Sequence, residues 1–165
     1  MKSKQIEGNM RKIFGIGLPR TGTASLTEAL NIMGKPAKHY CIINGNDSKC
    51  NENEFEACVN NSFFLNLQNL PIQDSLFILT TRELKDWQHS ISRFSDITID
   101  LPSIDKYEEI VRNLFKEVDA EDQLLIVNIF EDPNAFKKIS NFIGVPHPND
   151  TFPHIKKEGK KIYGL

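Results

Sequence analysis

Short, nearly continuous apolar runs alternate along the chain with stretches whose apolar residues recur every three or four positions. The runs Lys12–Gly17, Leu76–Thr81 and Leu124–Ile129 predict strands buried on both faces, and Ala37–Ile43 is a further strand candidate. Helical spacing appears over Gly22–Met33, with Leu26, Ala29, Leu30 and Met33 on one side and Gly34 and Pro36 ending it. It returns over Glu83–Phe94 and over Ser103–Val118, where Ser103 is the expected cap and Ile104, Tyr107, Val111, Leu114 and Phe115 form the apolar stripe. A last helix is expected from Asp132, with Pro133 in its first turn, to Gly144 and Pro146. Glu54–Asn60 reads as a short helix, Phe63–Leu70 is ambiguous between strand and helical turn, and Asn44–Asn53 and Ser95–Pro102 read as loops. Strands alternating with helices predict an α/β fold: three layers, a central parallel sheet flanked by helices.

The junction of the first strand and helix carries the chemistry. It reads K-I-F-G-I-G-L-P-R-T-G-T-A-S-L-T-E-A-L from Lys12 to Leu30. A turn rich in Gly, Pro and Thr aims backbone N–H groups at one point, and the helix N-terminus adds the positive end of its dipole. The guest of such a site is a phosphate or sulfate group. Gly17 and Gly22 have the separation of a nucleotide-triphosphate loop, yet Thr23 stands where that loop has its lysine. A small-molecule P-loop kinase is therefore disfavoured. The basic residue sits earlier, at Arg20, inside the turn.

L-P-R-T-G-T-A-S-L resembles the 5′-phosphosulfate loop of the P-loop sulfotransferases that use 3′-phosphoadenosine-5′-phosphosulfate (PAPS), in the branch written G-L-P-R-T-G-T. A second stretch, L-F-I-L-T-T-R-E-L-K-D-W-Q-H-S-I-S-R-F from Leu76, is similar to the family's strand ending in Arg and the helix bearing Ser eight residues later. A third, from Leu124 to His154, is similar to its last strand and helix. The resemblance implies a sulfotransferase-like P-loop fold and transfer of a sulfuryl group from PAPS to an acceptor hydroxyl or amine, leaving the bisphosphate PAP and requiring no metal. It implies that Pro19, Arg20, Thr21, Gly22, Thr23, Ala24 and Ser25 bind the 5′-phosphosulfate, and Arg82 and Ser90 the 3′-phosphate. The residues suit that role on their own terms. Arg82 follows an apolar strand, where ligands bind in parallel sheets, and an Arg with a hydroxyl suits a phosphate dianion. Ala24 departs from the second hydroxyl that relatives place there.

Each of these residues has a plainer reading: turn glycines, N-cap hydroxyls at Thr21, Thr23 and Ser25, a surface ion pair of Arg82 with Glu83 or Asp86, an ordinary helix serine at Ser90. Trp87, in mid-helix, reads as a core anchor rather than an adenine platform. The family needs a base for the acceptor proton. Among the four histidines, His39 is the candidate, because similar proteins have a His near this point. His89 is expected to face away from Ser90, and His147 and His154 fall in a Pro-rich surface stretch. Arg20 and His39 are thus the catalytic pair expected, and no metal ligands are.

The chain has 165 residues, a single domain's length, with 1–11 and 156–165 expected to be flexible and Lys156, Lys157, Lys160 and Lys161 forming a basic tail. A net charge of −2 speaks against a broad nucleic-acid surface. No segment reads as a membrane span or signal peptide. The protein is accordingly expected in the cytoplasm, where Cys41, Cys50 and Cys58, which lack metal-site spacing, read as reduced thiols. The expected partner is a small-molecule or glycan acceptor, with no nucleic acid and no membrane. The rival reading is a catalytically inactive nucleotide- or anion-binding module of the same fold.

Overall fold

The structure, a computed structural model, describes residues 11–39, 55–59, 64, 67–93 and 100–155. Five strands form one sheet: β1 (Lys12–Gly15), β2 (Ala37–His39), β3 (Ala57–Val59), β4 (Ser75–Thr80) and β5 (Leu124–Val127). Their order is β2-β3-β1-β4-β5, and every neighbouring pair is parallel. The chain leaves β1 toward β2 and β3 on one side and returns to β4 on the other. The C-terminal edge between β1 and β4 is therefore the topological switch point, where open parallel sheets bind ligands.

Four helices cover the sheet: α1 (Thr23–Ile32), α2 (Leu84–Ser92), α3 (Ile104–Glu117) and α4 (Ala135–Ile143). Strand alternation divides the core in two. Phe14, Phe77 and Leu79 face α2 and α3, meeting Trp87, Tyr107, Val111 and Phe115. Ile13, Ile78 and Val59 face α1 and α4, meeting Leu26, Leu30 and Ile139. Phe77 is fully buried, stacked on Phe14 with ring centroids 5.4 Å apart and edge-on to Phe115 at 5.0 Å. Truncating such a ring to Ala costs about 3–5 kcal/mol.

Element boundaries hold to within a few residues, with two corrections. The segment expected as a helix over Glu54–Asn60 contains the strand β3, whose Ala57, Cys58 and Val59 are all buried. Three residues are too few for helical or strand periodicity to show, and burial between β1 and β2 decides the outcome. The last helix starts later than its Asp-Pro signal. Asn134 is the N-cap, and Asp132 closes a turn before it, its Oδ1 accepting from the Asn134 N–H at 2.9 Å. Lys138 and that N–H together hold the Asp132 carboxyl below the usual aspartate range. Ser103 does cap α3, Gly144 ends α4 in the left-handed conformation, and Leu67–Asn69 is a 3-10 turn. Cys58 is disulfide-bonded, which corrects its reading as a reduced thiol; Cys41 and Cys50 lie outside the described residues. The loop expected at Asn44–Asn53, the end of the second strand beyond His39, the N-terminal stretch 1–10 and the basic tail 156–165 also lie outside them. Among the described residues no helix is long and apolar enough to cross a membrane.

Candidate functional site

The anion loop leaves β1 at the sheet's C-terminal edge, and steric demand explains its glycines. A methyl group on Gly17 would overlap Thr80 Oγ1 and approach Thr21 Oγ1 to 2.6 Å. Gly22 has φ of 91°, and a methyl there would overlap the end of the Ile129 side chain. Between them Arg20 holds φ of 69°, a left-handed conformation that costs a non-glycine residue on the order of 1 kcal/mol or more. Such strain persists only where the surroundings impose it.

Gly22 is the N-cap of α1 and has no side chain with which to cap it. The first-turn N–H groups of Thr23, Ala24 and Ser25 therefore present the positive end of the helix beside the loop. Ala24 contributes backbone alone. Thr21 turns inward: its hydroxyl donates to Leu18 O at 2.7 Å and shares a hydrogen bond with Thr80 Oγ1 at 2.7 Å. Ser25 is also buried, and its hydroxyl accepts from the Ile155 N–H at 3.0 Å, so the chain's last described residues cross the start of α1. Pro19 lies buried with its carbonyl accepting from the Trp87 indole N–H.

The two arginines meet. Arg20 Nε donates to Ser90 Oγ at 2.9 Å, and Arg82 Nη1 donates to the Arg20 carbonyl at 3.2 Å. Ser90 is 6% exposed on the inner side of α2, while its neighbour His89 faces out as expected. Arg82 does not pair with Glu83, whose carboxylate instead caps α2 by accepting from the Asp86 N–H. That bond holds the Glu83 carboxyl below its ordinary range. The Arg82 guanidinium lies 4.3 Å from the centroid of the Phe130 ring, and its buried Nε has no hydrogen-bond partner among the described residues. A buried guanidinium N–H without an acceptor is costly in isolation and fits an anion.

His39 ends β2, on the other side of β1 from Arg82, and its Nε2 lies 3.1 Å from Thr23 Oγ1. Two further histidines lie in the last described stretch, and one of them, His154, is next to Phe130, which backs Arg82. His147 is exposed and edge-on to Phe136, and His154 is exposed beside Phe130 and Phe152.

Sequence reasoning missed Phe130. It is 41% exposed just past β5 and backs the Arg82 guanidinium, a contact worth about 0.5–2 kcal/mol. Its only signal is an aromatic residue three positions after Val127, the end of β5, which nothing ties to Arg82 before folding. Trp87 is the core anchor expected, 5% exposed.

These features define an α/β protein with a glycine-bearing loop leading into α1 after its first parallel strand and an arginine after the neighbouring strand. A family profile described as a sulfotransferase domain matches residues 12–112, more than half of the chain and all of the loop, Arg82 and Ser90. The chain belongs to that sulfotransferase-domain family. A comparison with curated proteins finds no match.

Proposed function

We propose that the chain transfers a sulfuryl group from PAPS to a hydroxyl or amine on a small-molecule or glycan acceptor. The junction of Arg20, Arg82 and Ser90 at the sheet's C-terminal edge carries this reading, because it places two guanidinium groups and a buried hydroxyl around one anion loop. The loop and α1 amides with Arg20 would hold the 5′-phosphosulfate, and Arg82 with Ser90 the 3′-phosphate. The buried Arg82 Nε, without a hydrogen-bond partner among the described residues, fits a ligand of that charge. When bound, PAPS supplies an activated sulfuryl group.

Arg20 neutralises charge on the oxygen that the sulfuryl group leaves. One preorganised donor of this kind is worth about 3–4 kcal/mol. As an arginine it keeps its proton, so it acts by charge and hydrogen bonding rather than as a general acid. His39 is the base proposed for the acceptor proton. Since His39 lies across β1 from Arg82, this reading has the acceptor on the β2 side and the nucleoside on the β4 side.

The test is turnover. The protein is incubated with sulfur-labelled PAPS and a panel of alcohols, phenols, amines and sugars, and labelled product is counted against an Arg20→Ala control. Transfer lost in that control supports the reading. Binding of PAP with no transfer to any acceptor selects the inactive nucleotide-binding module instead.

A further inference from the structure

The carbonyls of the anion loop are tied back to donors in the core. Tyr107 OH donates to Ile16 O at 2.6 Å, and Trp87 Nε1 donates to Pro19 O at 2.8 Å. Thr21 closes on Leu18 O through both its hydroxyl and its N–H, and Arg82 Nη1 holds Arg20 O. Two of these donors come from helices packed under the loop, Trp87 from α2 and Tyr107 from α3, and both rings belong to the core cluster on that face. Both polar atoms are buried.

We propose that Trp87 and Tyr107 are positioning residues that set the direction of the loop's amides. The proposal rests on the anion-loop reading above and extends it to residues that touch no ligand. No peptide bond in the described chain is cis, so in each peptide plane the N–H points opposite to the carbonyl. With Ile16 O drawn toward Tyr107, the Gly17 N–H turns away from that core. With Pro19 O drawn toward Trp87, the Arg20 N–H turns outward in the same way. A carbonyl released from these bonds is free to rotate its negative end toward the site, where it would repel an anion. The peptide held by Trp87 is also the one whose flip would relieve the left-handed conformation at Arg20. Its indole therefore holds a strained backbone in the form that binding uses, which is preorganisation. Tyr107 is a constant donor: burial pushes its phenol above the usual tyrosine range, so it stays protonated at any working pH.

The test compares Tyr107→Phe and Trp87→Phe with Phe115→Leu, which loosens the same core cluster without touching the loop. Two quantities are read on the full chain, well below every melting temperature. One is amide hydrogen exchange at Gly17 and Arg20 without ligand, relative to Leu79 in β4. The other is the Kd for adenosine 3′,5′-bisphosphate. Both aromatic variants are expected to speed loop exchange about tenfold or more relative to Leu79 and to weaken the bisphosphate about fivefold or more, and Phe115→Leu to do neither. Loop exchange that stays at the wild-type ratio in the aromatic variants, or rises equally in Phe115→Leu, overturns the proposal. Should Trp87→Phe fail to fold, Tyr107→Phe decides alone, since it removes one oxygen and keeps the ring. If loop exchange responds as stated while the wild-type protein binds no bisphosphate, the clamp stands and the functional reading falls.

Discussion

Arg20 Nε and Ser90 Oγ are 2.9 Å apart although seventy positions separate them in the chain. One belongs to the turn after β1 and the other to the second turn of α2, so two motifs met separately in the sequence form one site. The bond couples the group proposed for the 5′ end of the cofactor to the group proposed for its 3′ end. A double-mutant cycle of Arg20→Ala and Ser90→Ala, read by bisphosphate affinity, should show a coupling of about 0.5 kcal/mol or more. Additive losses would mean that the two side chains act apart.

Gly22→Ala tests the loop's backbone. The substitution asks for φ of 91° from a residue with a Cβ and pushes that atom into Ile129. It should cost about 1–3 kcal/mol of stability by denaturant melts and abolish measurable anion binding. Gly34→Ala is the control, because that glycine also has positive φ but open space around it. It should lose stability and keep its affinity.

His39→Ala separates base from scaffold. If His39 takes the acceptor proton, turnover falls by about 10²-fold or more while the bisphosphate Kd changes little. Its bond to Thr23 makes a second outcome informative. A loss of affinity equal to the loss of rate would assign His39 to holding the start of α1.

The disulfide at Cys58 makes a simple count. Of the three cysteines, denatured but unreduced protein should label one with a thiol reagent, and reduced protein all three. Three labels without reductant would contradict the pairing.

Much of the fold is legible before folding because its signals are local. The continuous apolar run at Leu76 reads directly as a buried parallel strand, the run at Leu124 as a strand that the fold leaves half-buried at the sheet's edge, and Ser103 announces α3. The short strand β3 is not legible. Its three residues are defined by neighbours on both sides, and a three-residue window carries no period. In the site, the loop and Arg82 are read from their positions at strand ends. The contacts that orient them, Phe130 under Arg82 and Tyr107 under Ile16, join segments far apart in sequence and leave no spacing to find. Thr21 and Ser25 show the converse. Their hydroxyls suit a phosphate by type, but in the fold they bond to Leu18 and Ile155.

The most direct measurement of the central claim is calorimetric titration of the protein with adenosine 3′,5′-bisphosphate beside ATP with Mg²⁺, repeated in Arg82→Ala. The account predicts that the bisphosphate binds more tightly than ATP and loses about tenfold or more in the variant, the scale of a lost charged hydrogen bond. Tighter binding of ATP with Mg²⁺, or bisphosphate binding indifferent to Arg82, would contradict it.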